Sequence, residues 1–287
     1  MKVPYLLPEE SSPRLDVLLG SIPQPFVLAD FSPKGVESWN IQNWGWRYPL
    51  RQVFNVDHHA QNSFFYRKVS SGNLAKIFIR DFGTMENVGI NHTDLDSVAS
   101  AAILLGLLSP TEDIMEAVVS ADHTGIENQM ADVLQEGQNQ RDFLKSLKWL
   151  RECQDGKLSK EAVQLRDETR RKRDLVLKLK SRNSFTDFGR VVVVQSDEYV
   201  PGSFLPAAFP DAHLIISGVT GSGGRWNNRY RLGNAAPDGK TLFDVFSRID
   251  GASFGGRWNA GSSKRSGGAT LSPVEVGEKA EPLISGW

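Results

Sequence analysis

The sequence predicts an α/β chain of two domains, a first one built on a mostly parallel sheet and a smaller second one, joined by helices. Three observations lead there. The 287 residues exceed what one hydrophobic core usually supports. Short continuous apolar runs, Phe26-Val27-Leu28-Ala29, Val53-Phe54-Asn55-Val56 and Val88-Gly89-Ile90, punctuate the first part, and strands of parallel sheets read this way because both of their faces are covered. A long, charged helical stretch then separates them from two further runs, Val191-Val192-Val193-Val194 and Leu214-Ile215-Ile216. The expected division is residues 1–135, a helical linker over 136–185, and 186–287.

Residues 1–25 are proline-rich (Pro4, Pro8, Pro13, Pro23, Pro25), with room for a short helix over 14–19. Strands are expected near 26–30, 51–56, 76–81 and 87–91. Over 96–108, Val98, Ala101, Ala102, Leu105 and Leu108 recur at helical spacing. Asp94 and Asp96 therefore fall at a helix amino end, where unpaired N–H groups and the positive dipole end suit carboxylates and phosphates. Residues 141–182 read as a charged helix pair connecting domains. Residues 190–194 and 213–216 read as buried strands. Asn227-Asn228 is good turn chemistry, so 223–228 is expected to be a loop tip. Residues 269–287 show no clear period and read as a loosely packed tail or an extra strand.

The net charge of −1 conceals an uneven distribution. Residues 1–140 carry 9 Lys/Arg against 17 Asp/Glu, residues 141–190 carry 15 against 8, and residues 191–287 carry 9 against 9. The basic middle segment is either a solvated helical face or a device for steering a polyanion. Cys153 is the single cysteine, which excludes a disulfide framework within the chain and suits a reducing compartment. No stretch reaches the unbroken apolar length of a membrane span, and the start is too broken by proline for a signal peptide, so no membrane partner and a cytoplasmic location are expected.

Four of the five histidines lie in three acidic clusters: Asp57-His58-His59, His92-Thr93-Asp94-Leu95-Asp96 and Asp122-His123. A single His-Asp pair is more often an ion pair or a satisfied core histidine than a ligand. Three clusters shift that balance toward divalent cations, because imidazole nitrogen and carboxylate oxygen are the donors that Mn²⁺, Zn²⁺ and Fe²⁺ share. The first two clusters follow apolar runs, at the strand ends where ligands of open α/β sheets gather. The third ends a helical pattern.

These residues resemble the DHH phosphoesterase superfamily. Asp57-His58-His59 is similar to the tripeptide that names it, His92-Thr-Asp94-Leu-Asp96-Ser-Val-Ala-Ser100 to its HxDxDxxxS motif, and Ala121-Asp122-His123 to its later aspartate motif. Asp30, ending the run Phe26-Val27-Leu28-Ala29, matches the strand-ending aspartate, with Asp81 as the alternative; Asp30 ends the cleaner buried pattern. In the family HxDxD comes first, so the order here is circularly permuted, which chains with neighbouring termini tolerate. The resemblance implies two divalent metal ions, Mn²⁺ with Mg²⁺ as the alternative. His92 and Asp94 would bind one, Asp96, His58 and Asp122 the other, and Asp30 would bridge them. His59 would contact the scissile phosphate or protonate the leaving oxygen, and His123 is a second catalytic candidate.

The pentapeptide Gly-Gly-Arg-Trp-Asn occurs at 223–227 and again at 255–259. The second copy is similar to the glycine-rich loop of the DHHA1 domain, which follows the catalytic domain in this superfamily and binds substrate. Trp258 stands where that loop has histidine and Arg257 where it has its third glycine. Gly255 and Gly256 would let backbone N–H groups approach an anion, Arg231 and Arg257 would grip phosphate, and Trp258 with Asn259 would offer a base a stacking face and an amide. The expected function is metal-dependent hydrolysis of single-stranded or short oligonucleotides, or of a related nucleotide phosphoester, in a monomer or homo-oligomer. The alternatives are a pyrophosphatase-like hydrolase and a catalytically silent nucleic-acid-binding relative.

Overall fold

A computed structural model describes the chain except residues 1, 9–12, 36–38, 50–51, 60–61, 183 and 197–199, and the side chain of residue 222. The described residues pack as two compact units. One comprises residues 1–60, 69–122 and 127–169, the other residues 61–68, 123–126 and 170–287.

The first unit contains β1 (Tyr5–Leu6), α1 (Leu15–Ser21), β2 (Phe26–Ala29), β3 (Asn40–Gln42), β4 (Gly45–Tyr48), β5 (Val53–Val56), α2 (Ser71–Phe82), β6 (Asn87–Ile90), α3 (Leu95–Leu104), α4 (Glu112–Val119), α5 (Gln129–Gly137) and α6 (Phe143–Gln154). The strand order is β1-β6-β2-β5-β4-β3. β1, β6, β2 and β5 run parallel; β2, β5 and β6 from Val88 onward are buried because helices cover both faces, whereas Tyr5 and Leu6 of the edge strand β1 are exposed. Phe26, Leu28 and Val53 pack with Leu15 and Leu18 of α1. Phe54, pointing the opposite way from Val53 by strand alternation, meets Phe78 and Phe82 of α2 and the fully buried Trp44.

Two expectations need correction. The sheet is mixed rather than mostly parallel. The hairpin β3–β4, closed by Asn43-Trp44, adds two antiparallel strands at one edge, and the burial of Trp44 beneath that turn anchors it. The run over 76–81, expected as a strand, is the second half of α2. Ser70 accepts a hydrogen bond from the backbone N–H of Asn73, and the Asn73 side chain accepts one from Ser70, which starts a helix. Leu74, Ala75 and Phe78 then fall on one buried stripe, with helical rather than strand period. The strand expected from 51 begins at Val53 among the described residues.

α7 (Lys160–Ser181) passes from the first unit into the second after Thr169. The helices expected as a separate linker over 136–185 are thus shared between the two bodies. The second unit contains β7 (Phe185–Asp187), β8 (Val191–Gln195), α8 (Leu205–Ala208), β9 (Leu214–Thr220), β10 (Trp226–Leu232), α9 (Leu242–Phe246), β11 (Gly255–Gly256), β12 (Ala260–Ser262) and α10 (Pro273–Ile284). Its sheet has the order β11-β12-β10-β9-β8-β7, with β8 and β9 parallel and the other pairs antiparallel. Leu214, Ile216, Tyr230 and Leu232 pack with α9 and α10 on one face. Val192, Val194 and Ile215 pack with Leu205 and Phe209 on the other.

The segment expected as a tail or strand is therefore the helix α10. Ser272 and Glu275 cap each other, Pro273 fills the first turn, and Val276, Ala280 and Ile284 are buried. The loop tip is also displaced. Gly221 donates to the Arg225 carbonyl across the turn, while Asn227 and Asn228 lie inside β10. No helix among the described residues is long and apolar enough to cross a membrane.

Candidate functional site

Because β6, β2 and β5 are parallel neighbours, their carboxyl ends lie together and deliver Asp30 and two of the clusters, Asp57-His58-His59 and His92 to Asp96, to one edge of the sheet. Asp30 follows β2 with φ of 63°. The left-handed region is uncommon for a residue with a side chain, though Asp tolerates it. Here it turns the chain out of the strand just where the carboxylate is used. The hydroxyls of Ser71 and Ser97 donate to its two oxygens at 3.0 and 2.7 Å.

Asp57, His58 and His59 follow β5. His58 is buried, with Nε2 3.7 Å from Asp30 Oδ1, 3.4 Å from Asp96 Oδ2 and 3.4 Å from Asp122 Oδ2. Asp122 arrives from the π-helical turn Ser120–Thr124 after α4. Asp94 caps α3, accepting the Ser97 N–H at 2.9 Å, and Asp96 sits in the first turn. Asp96 is itself held by a second helix: the N–H groups of Ser71 and Gly72, at the start of α2, donate to its two oxygens at 2.7 Å each. A Cβ on Gly72 would stand 3.3 Å from Asp96 Oδ1 and 3.2 Å from a Val118 methyl, which explains glycine there. His92 lies half-buried on the β6–α3 connection, two residues before Asp94.

The electrostatics of this group follow from crowding. Burial, then the charges of Asp96, Asp94 and Asp57, raise the Asp30 carboxyl well above its ordinary range. Burial and the Asp122 and Asp94 charges push Asp96 up to about 7 against the N–H groups that favour its anion. Asp57 goes the other way: burial would raise it, but His59, His58 and the Ser32 hydroxyl outweigh burial and hold it below the usual carboxylate range. Repelling, desolvated carboxylates with an imidazole in their midst are relieved by a bound cation. Asp30, His58 and His59 each offer a ligand atom, and these atoms lie within 4.8 Å of one another, a donor set that could hold a divalent metal ion. The His59 nitrogen has a nearer partner, however: Nδ1 is 3.5 Å from Asp30 but 2.8 Å from Asp57. Asp96 and Asp122 lie nearer to His58 Nε2 than Asp30 does.

In the second unit, the glycine-rich loop is a tight β11–β12 hairpin, with the Arg257 N–H donating to the Ala260 carbonyl. Trp258, expected as a stacking face, is instead a core side chain, 4% exposed, with the Tyr66 and His123 rings each 5.8 Å away. The tight turn points it into the apolar cluster beneath the sheet. His123 is buried, and the Asn259 amide reaches its Nδ1 at 3.2 Å, so Asn259 braces this ring. Arg231 and Arg257 line a separate pocket of about 300 Å³ together with Arg229, from the same strand as Arg231, and Arg265. Its floor is one sheet face, where Arg229 lies between Ser217 and Ser262, and Arg231 between Ile215 and Ala260.

No protein-family model matches the sequence, and no curated protein matches it. A solved structure similar to this chain is the pGpG-specific phosphodiesterase PggH from Vibrio cholerae, at 12% identity and a TM-score of 0.41, covering 65% of this chain and 81% of that one. A likeness of that degree carries no functional argument.

Proposed function

We propose that this chain is a metal-dependent phosphoesterase that hydrolyses single-stranded or short oligonucleotides, or a related nucleotide phosphoester. The observation that carries the reading is the convergence of Asp30, His58, Asp96 and Asp122 from separate stretches of the first unit, with the Asp94 charge acting on Asp30 and Asp96. The resemblance to the DHH and DHHA1 domains, in permuted order, belongs to the same proposal.

In this reading His92 and Asp94 would hold one divalent ion, His58, Asp96 and Asp122 a second, with Asp30 serving both; Mn²⁺ would suit the mixed nitrogen and oxygen donors, with Mg²⁺ as the alternative. Bound ions supply Lewis-acid polarisation of phosphoryl oxygens and a hydroxide nucleophile at neutral pH. The chain's own groups do the rest. Ser71 and Ser97 fix the Asp30 carboxylate, and the α2 amino end fixes Asp96, so the ligands keep their places without substrate. His59 meets the scissile phosphate or its leaving oxygen. Arg231 and Arg257 would grip a phosphate of the substrate, while Gly255 and Gly256 serve the close packing of the hairpin, where a Cβ on the first would meet Arg265 and Ser266 and one on the second Gly261 and Ala260. His123, braced by Asn259, is a substrate-facing or structural histidine.

The test is turnover by the purified chain with Mn²⁺ of a single-stranded oligonucleotide, a dinucleotide, a cyclic dinucleotide, 3′-phosphoadenosine phosphate and pyrophosphate. Metal-dependent cleavage of at least one nucleotide ester is expected. Turnover of pyrophosphate alone would assign the pyrophosphatase-like alternative, and no turnover of any would end the enzymatic reading.

A further inference from the structure

Asp57 is fully buried and is no part of the ligand set just described, yet both of its carboxylate oxygens are engaged. Oδ1 accepts two hydrogen bonds from the same residue: the His59 backbone N–H at 2.9 Å and the His59 ring at Nδ1, 2.8 Å away. Oδ2 accepts the Ser32 hydroxyl at 2.6 Å. Ser32 follows β2 and Asp57 follows β5, so two neighbouring strands fix the carboxylate, and the carboxylate fixes the ring.

We propose that Asp57, with Ser32 behind it, is a positioning residue that locks His59 with Nδ1 turned inward and leaves Nε2 as the nitrogen that serves the leaving oxygen. An ionised carboxylate only accepts hydrogen bonds, so the 2.8 Å contact requires the proton to sit on Nδ1. The backbone bond to the same oxygen fixes where the ring begins, and the ring bond fixes how it is turned. Rotation about either bond of the His59 side chain breaks the ring contact. This inference deepens the phosphoesterase reading and rests on it for the chemical step. His59 enters the step as imidazolium, having taken a second proton from solvent on Nε2; as the bond from phosphorus to the leaving oxygen breaks, its electron pair stays on that oxygen, which takes the Nε2 proton and leaves the ring neutral. The hydroxide oxygen makes the new bond to phosphorus, and Nδ1 keeps its proton in the bond to Asp57. This is the orienting role an aspartate plays behind a catalytic histidine in other hydrolases.

Two measurements on the full chain test it. In ¹⁵N-histidine NMR of the metal-free protein, His59 is expected to carry its proton on Nδ1, and Asp57→Asn is expected to lose that fixed pattern. A wild-type His59 with bare Nδ1 would overturn the assignment whatever the protein's activity. The second measurement compares two esters with Mn²⁺ present: dTpdT, whose sugar hydroxyl needs a proton to leave, and bis(p-nitrophenyl) phosphate, whose phenolate does not. Asp57→Asn is expected to lower kcat on dTpdT by roughly a hundred- to ten-thousandfold and on the phenyl ester by less than about threefold, with little change in KM. Ser32→Ala, which leaves the buried carboxylate in place, should move in the same direction by about three- to tenfold. Equal losses on both esters would mean that Asp57 only supports the fold, and would overturn the proposal. If the wild type cleaves neither ester, the catalytic step falls with the phosphoesterase reading, and the NMR pattern alone decides the orientation.

Discussion

Replacing Asp96 by Asn should stabilise the metal-free protein at neutral pH, although it removes a residue proposed to bind metal. Burial and the neighbouring Asp122 and Asp94 charges raise the Asp96 carboxyl from 3.8 to about 7 in the folded chain. A carboxyl with a raised folded pKa contributes most below its unfolded value. That contribution is lost as the pH climbs from about 4 to about 7, because the unfolded chain ionises freely while the folded chain resists. Each pH unit in this window is worth ~1.4 kcal/mol, so ~4 kcal/mol of destabilisation has accrued by pH 8. Asn removes that charge. It also turns an amide N–H toward one of the Ser71 and Gly72 donors, which costs about 1–3 kcal/mol. The net expectation at pH 8 with a chelator is a variant more stable by roughly 1–3 kcal/mol. Near pH 4.5 that advantage should shrink or reverse. Asp30, raised for similar reasons, adds a slope of the same sign. Asp57, held low, has the opposite sign, its stabilisation being lost as pH falls below its unfolded value of 3.8, outside this window. Urea unfolding followed by circular dichroism at both pH values provides the assay, and Mn²⁺ should reverse the order at pH 8 by stabilising the wild type more than the variant. An Asp96→Asn variant destabilised equally at pH 4.5 and pH 8 would refute this account of the carboxylate cluster.

Further outcomes follow from the same structure. Gly72→Ala places a methyl between Asp96 and Val118, and should cost about 1–3 kcal/mol in urea unfolding while weakening Mn²⁺ binding measured by calorimetry. Trp258→Ala should destabilise the second unit by about 3–5 kcal/mol, read as a lower thermal midpoint, because the ring is core; a loss confined to substrate affinity would restore the stacking role. Arg257→Ala should lower kcat/KM on a short oligonucleotide by roughly ten- to a hundredfold and leave Mn²⁺ affinity unchanged, as expected for a charge-assisted phosphate contact.

The parts legible in the sequence were those governed by local rules. Phe26-Val27-Leu28-Ala29 and Val53-Phe54-Asn55-Val56 announced buried parallel strands, and their shared direction is enough to bring Asp30 beside His58. Asp94 announced a helix start and is its cap. The misreadings came where a local signal was outweighed. Ile77-Phe78-Ile79 has strand composition, but the reciprocal cap of Ser70 and Asn73 starts a helix through it. Missing that helix hid the cradle of Ser71 and Gly72 that holds Asp96. The Ser272-Pro273-Val274-Glu275 start of α10 carried the same kind of signal and was readable. The hairpin β3–β4 was not, because its strands are short and mostly polar and its anchor is the tertiary burial of Trp44. Trp258 shows the limit most plainly: a glycine-rich setting suggests exposure, and only the path of the β11–β12 turn reveals that the ring points into the core.

The central claim, that the carboxylate and histidine cluster at the edge of the first sheet is a divalent metal site, is tested most directly by titrating the chain with Mn²⁺ under equilibrium dialysis and recording electron paramagnetic resonance. The account predicts two ions per chain with the signature of a magnetically coupled pair, and the loss of at least one ion and of the coupling in Asp94→Asn, whose fold should persist by circular dichroism. Failure of the wild type to retain Mn²⁺, or Mn²⁺ binding and coupling unchanged in both Asp94→Asn and Asp96→Asn, would contradict it.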